Sequence, residues 1–100
     1  MNWLTQIENE RRRIQPGENP GRTRTIARRI AGIALKQIYD ASVDDFMLLL
    51  QRASNDLSLP PDVQHAAARL STRLSPDFQS PSVDPVGDAD IIVTYAKTLQ

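Results

Sequence analysis

The pattern of apolar and polar positions divides the chain into segments of helical spacing separated by turns. The strongest segment is Thr25–Tyr39, TIARRIAGIALKQIY, with nine apolar residues in fifteen and no proline. Wound at about 100° per residue, Ile26, Ile30 and Ile33 fall together on one side. Ala27, Ala31, Ala34, Leu35 and Ile38 widen that side to roughly half the circumference. An arc this wide needs more than one neighbour. The spacing therefore predicts a small all-α bundle of four to five helices around a central helix over 25–39. Gly32, inside that helix, costs about 1 kcal/mol relative to alanine. It marks either a close helix–helix approach or a tolerated defect.

The remaining segments fit around this one. Residues 2–14 predict a first helix. Asn2 suits its cap, and Glu8 precedes Arg12 in the favourable i,i+4 order. Its apolar seam of Trp3, Leu4, Ile7 and Ile14 is thin, so it docks on a core rather than forming one. Pro16–Arg24, PGENPGRTR, repeats Pro-Gly and reads as a loop, with Thr23 or Thr25 capping the central helix. Ser42-Val43-Asp44-Asp45 has the form of a capping box ahead of a third helix over 43–54. The run Phe46-Met47-Leu48-Leu49-Leu50 in that helix has no polar break. A fourth helix starts near Pro60, because proline is tolerated in a first turn, and runs to about Leu74. Helices 43–54 and 60–74 are the neighbours the central arc requires. Residues 75–87, rich in proline and serine, read as an extended connector. In the final segment Asp88 is the expected N-cap, and Ile91, Ile92, Tyr95 and Leu99 share a helical face. Its IIVTY stretch has β propensity, but no other segment offers a strand to pair with.

Composition adds limits. One hundred residues with 40% hydrophobic content suffice for one domain and one modest core. Only five residues are aromatic, so the core is aliphatic. The absence of cysteine excludes a disulfide framework, thiolate metal sites and cysteine nucleophiles, and fits a reducing compartment. No apolar run approaches the roughly 20 residues that span a bilayer. The acids and arginines near the start interrupt the apolar region a signal peptide needs. A cytoplasmic protein with no membrane partner is expected.

Net charge is zero, yet it is unevenly placed. Residues 1–36 hold eight Lys/Arg against three Glu, a balance of +5. Residues 37–100 hold four Lys/Arg against nine Asp, a balance of −5. Such polarity serves internal pairing, head-to-tail pairing with a copy, or binding of an anionic partner at one end.

The candidate chemistry is sparse. The loop over 17–25 superficially resembles a P-loop, but three residues rather than four separate its glycines and Arg22 stands where a lysine is needed. Arg22, Thr23 and Arg24, at the start of a helix, can still meet a phosphate or carboxylate. Arg22, Arg29 and Lys36 are seven apart, with Arg28 beside that line; if the helix extends back to Arg22, a basic stripe results. The bland alternative is a solvated face pairing with acids such as Asp44 or Asp45. A helix-turn-helix reading fails, because the helix after the central one is acidic and then apolar where a recognition helix is polar or basic. His65, the only histidine, has no carboxylate at i±4 and reads as an exposed helix residue. Asp88 and Asp90 lack the spacing of a calcium loop.

These features predict a non-catalytic protein-interaction module or a small subunit of an assembly, with no cofactor or metal. A homodimer is expected, with Phe46, Met47 and Leu50 as partner contacts. One alternative is nucleic-acid binding through Arg11–Arg13, Arg22, Arg24, Arg28 and Arg29, although aromatic residues for base stacking are scarce. Another is an anionic ligand held at the 17–25 loop.

Overall fold

A computed structural model describes residues 2–14, 20–39, 45–71 and 84–99. Among them are five helices and no strand: α1 (Trp3–Arg11), α2 (Pro20–Tyr39), α3 (Phe46–Ser54), α4 (Pro61–Ser71) and α5 (Pro85–Thr98). The chain is a small all-α bundle. Helix α2 is its centre, touching every other helix.

The broad apolar arc of α2 is consumed inside the bundle. Ile26, Ala27, Ile30, Ala31, Ala34 and Leu35 are all buried. Its most extensive neighbour is α5, with α3 and α1 following and α4 in lesser contact. This corrects the expectation that the third and fourth helices would be its main neighbours. Both α2 and α5 carry buried alanines, Ala27, Ala31 and Ala34 on one and Ala89 and Ala96 on the other. Small side chains let two helix axes approach closely, which compensates for the little area each alanine buries. Helix α4 completes the ring by packing on α3 and α5, filling the centre with Val63 and Leu70. Helix α1 packs mainly on α2 and is attached through Trp3 and Ile7, as its thin seam implied.

Several boundaries differ from expectation, each for a local reason. Helix α2 starts at Pro20 rather than 25. Proline lacks an N–H that a first turn leaves unpaired in any case, so Pro20 can open the helix. Thr23 and Thr25 are therefore inside it and are not caps; the Thr25 hydroxyl donates to the Gly21 carbonyl at 3.0 Å. Helix α3 is capped by Asp45, whose Oδ1 accepts from the Leu48 N–H at 3.2 Å. The rest of the expected capping box, 42–44, lies outside the described residues. Helix α5 begins at Pro85, with Asp84 as its N-cap accepting from the Gly87 N–H at 3.0 Å. Asp88, expected to be the cap, sits one turn in and is buried. Residues 85–87, expected to end the connector, form the first turn of α5; 75–83 lie outside the described residues, as do 72–74 at the end of the expected fourth helix.

The inward face of α5 also differs. Ala89, Ile92, Val93 and Ala96 are buried, while Ile91 and Tyr95 are half-buried at the flank and Leu99 is exposed. Gly32 resolves as a close approach. A Cβ built there would collide with the ring of Phe46 and lie 2.7 Å from the Phe46 Cβ, so the glycine admits α3 onto α2.

Candidate functional site

The expected basic stripe forms, because α2 reaches back past Arg22. Arg22, Arg29 and Lys36 share one face at seven-residue intervals, a rise of about 10 Å between neighbours. Arg22 and Arg29 are exposed, whereas Thr23 and Arg24 are half-buried in the first turns of α2. Of the expected 17–25 loop, residues 20–25 form the opening turns of α2, and 17–19 lie outside the described residues.

Other arginines have structural work. Arg28 turns towards α4, where its Nε donates to the Leu70 carbonyl at 2.7 Å. This bond ties α2 to the second half of α4. Burial, and then the charge of Arg24, lowers the Arg28 pKa from the usual arginine value. Arg11 pairs with Asp90 across the bundle. Arg13 donates to Glu10 Oε2 at 3.1 Å, and Arg29 Nε lies 3.8 Å from Glu10 Oε1. Glu10 thus serves the role expected of Asp44 or Asp45 opposite Arg29. Of these ion pairs only Arg11–Asp90 joins the basic and acidic halves of the chain.

The expected partner contacts divide. Leu50 is fully buried, so in this fold it touches no partner. Phe46 and Met47 are half-buried and pack on the core. Among the described residues the exposed leucines are instead Leu4 on α1, Leu48 on α3, Leu57 in the α3–α4 turn and Leu99 after α5.

At the end of α2, the Tyr39 hydroxyl donates to Asp56 Oδ2 at 2.7 Å, and Arg52 lies 4.0 Å over the ring. Asp56 Oδ1 accepts from the Ser58 N–H and hydroxyl at 2.9 and 2.6 Å. Burial first, then the bond to Asp56, pushes the Tyr39 pKa upward. A phenol this reluctant to ionise is neither nucleophile nor base at neutral pH, and the cluster ties α2 to the α3–α4 turn. His65 is exposed on α4, and among the described residues no three His, Cys, Asp or Glu side chains gather as a metal site requires.

Two concavities stand out among the described residues. A polar cleft of about 450 Å³ lies where α1, α2 and the start of α3 meet. Gln6, Asn9 and Glu10 enter it from α1; Arg29, Ile33, Lys36 and Gln37 from α2; and Phe46 from α3. A more apolar groove of about 460 Å³ runs between α4 and α5. Pro60, Val63, Ile91 and Tyr95 supply its apolar surface, and Asp62, Asp90, Thr94 and Thr98 line it as well. The groove was not legible in the sequence, which places Ile91, Ile92, Tyr95 and Leu99 on one helical face without showing which part of it turns inward. Among the described residues no helix is long and apolar enough to cross a membrane. No known family model, curated protein or solved structure matches the chain.

Proposed function

We propose that the chain is a non-catalytic module that binds a protein partner in the α4–α5 groove. The occupant is a helix of that partner carrying apolar anchors flanked by lysine or arginine. One observation carries this reading: the groove combines an apolar floor of Val63, Ile91 and Tyr95 with the exposed carboxylate of Asp62, beside the Arg11-paired Asp90, and has no Lys or Arg among its described lining residues. A groove between antiparallel helices suits an amphipathic helix, which lays its apolar stripe on the floor. The acids then favour a basic rim on the partner. A cytoplasmic location belongs to the same reading and is supported by the lack of cysteine.

Nucleic-acid binding draws less support. Arg11, Arg13 and Arg28 have carboxylate or carbonyl partners within the chain, which compete with phosphates for the same donors.

The test is fluorescence anisotropy with two labelled synthetic amphipathic helices of one pattern, Leu/Lys and Leu/Glu. The Leu/Lys peptide is expected to bind saturably and the Leu/Glu peptide at least about tenfold more weakly. Thr94→Arg, an exposed position that lines the groove, is expected to abolish binding. Equal binding of the two peptides, or binding untouched by Thr94→Arg, overturns the proposal. Light scattering runs alongside. A concentration-dependent dimer that Thr94→Arg dissolves would make a second copy the occupant, in place of a separate partner.

A further inference from the structure

We infer that Arg11 on α1 is a specificity-determining residue of the α4–α5 groove. It competes with the occupant's basic side chain for Asp90, and so leaves Asp62 as the groove's open carboxylate. The inference rests on the groove reading above and adds to it a rule for which helices the groove accepts.

Three observations carry it. The first is where the pair sits. Asp90 lines the groove from α5, and Arg11, in the last turn of α1, donates from its Nη2 to Asp90 Oδ1. A cation of the chain itself therefore already holds one of the two groove acids. The second is the difference between those acids. Asp62, exposed at the start of α4, accepts from the adjacent Val63 N–H at 2.9 Å, a neutral donor that leaves its charge unbalanced. It pairs with no cation among the described residues. The third is how readily the Arg11 pair can be exchanged. The Arg11 and Asp90 side chains are 30% and 46% exposed, so water reaches both, and such a pair contributes little net stability. A cation brought by the occupant can replace Arg11 without stranding a buried charge. The Arg69–Asp88 pair between the same two helices differs, because its acid is buried and closed to a competitor. Helix α1 itself stays in place when Arg11 lets go, since Trp3 and Ile7 hold it on the core.

The consequence is a charge rule along the groove. A helix whose basic residue meets Asp62 gains an ion pair outright. One whose basic residue meets Asp90 only exchanges one ion pair for another. The groove thus favours helices whose lysine or arginine lies on the α4 side, and Arg11 acts against the rest.

The test repeats the anisotropy measurement with the Leu/Lys peptide at about 0.15 M salt, where charges more than about 8 Å apart are largely screened. Arg11→Met, which keeps the aliphatic stem, is expected to tighten binding by about two- to fivefold, the equivalent of one exposed ion pair. In an Asp90→Asn chain the same change is expected to bring no gain, because nothing is left to compete for. Asp62→Asn is expected to weaken binding more than Asp90→Asn does in the native chain, and equally in the Arg11→Met chain. The emission of Trp3, the single tryptophan and buried under α1, is expected to be the same in Arg11→Met as in the native chain. A gain of equal size with and without Asp90 would reduce Arg11 to a distant charge and overturns the inference. A red-shifted Trp3 in Arg11→Met would make Arg11 a fastener of α1 and overturns it too. If the peptide binds the native chain and Arg11→Met equally well, the inference falls and the groove reading stands; if it binds neither, both fall.

Discussion

The Arg69 guanidinium holds both carboxylate oxygens of Asp88, its Nε 3.1 Å from each and its Nη2 donating to Oδ1 at 2.7 Å. The pair fastens the second half of α4 to the first turns of α5. The Asp88 side chain is 9% exposed and that of Arg69 37%. The asymmetry matters: the acid depends on the arginine, while the arginine still reaches water. The bonds to Asp88 raise the Arg69 pKa above its ordinary value.

Asp88→Ala is expected to destabilise the fold. Losing one partner of a fully buried pair costs about 3–5 kcal/mol, but water compensates Arg69 here, so about 1–2 kcal/mol is expected. Urea denaturation measures it. Adding Arg69→Ala should cost little more, because the pair acts as a unit. Equal and additive losses would show that the two side chains act separately.

Gly32→Ala runs against helix propensity. Alanine favours a helix interior by about 1 kcal/mol over glycine, but here its Cβ meets Phe46. Overpacking of this kind costs about 1–3 kcal/mol, so net destabilisation is expected. Phe46→Ala in the same chain should then cost less than it does alone. A stabilised Gly32→Ala protein would mean that Phe46 moves aside freely.

Arg28→Met keeps the aliphatic stem of the side chain and removes the donor to Leu70. A lost hydrogen bond from a charged group to a half-buried acceptor is expected to cost about 1–2 kcal/mol. Hydrogen exchange should also quicken in the last turn of α4 more than in its first. Arg29→Met, on the exposed face, should change stability by less than about 0.5 kcal/mol.

Asp56 gives a pH dependence with a definite sign. Bonds from the Ser58 hydroxyl, Tyr39 and the Ser58 N–H lower its pKa. A carboxyl with a depressed folded pKa contributes stability that is present above its unfolded value, about 3.9, and lost as pH falls through the folded value. Ser58→Ala and Tyr39→Phe are each expected to raise the Asp56 titration midpoint, read from the carboxyl ¹³C shift. The Tyr39 hydroxyl works in the opposite direction. Its raised pKa contributes stability below the ordinary tyrosine value, about 10, that is lost as pH rises through the folded value. An Asp56 midpoint unmoved by both variants would detach it from the cluster.

By itself, the sequence determined that the chain is helical and which segment is central. These are properties of short range: the 3.6-residue recurrence of Ile26, Ile30 and Ile33, the prolines between segments, and the lack of a second strand-forming stretch beside IIVTY. Even the basic stripe was legible, since it needs only one helix of sufficient length. The tertiary structure alone decided which neighbours fill the central arc, which of Ile91 and Ile92 faces inward, and what each charge is for. Adjacent apolar residues in a helix differ by about 100°, so a run such as FMLLL or IIV fits several orientations until its neighbours choose one. Leu50 and Leu48 were separated in this way, one fully buried and the other 56% exposed. Arg28 and Arg29 are likewise equivalent in sequence. Only the position of α4 gave one a backbone carbonyl to hold and left the other facing the polar cleft.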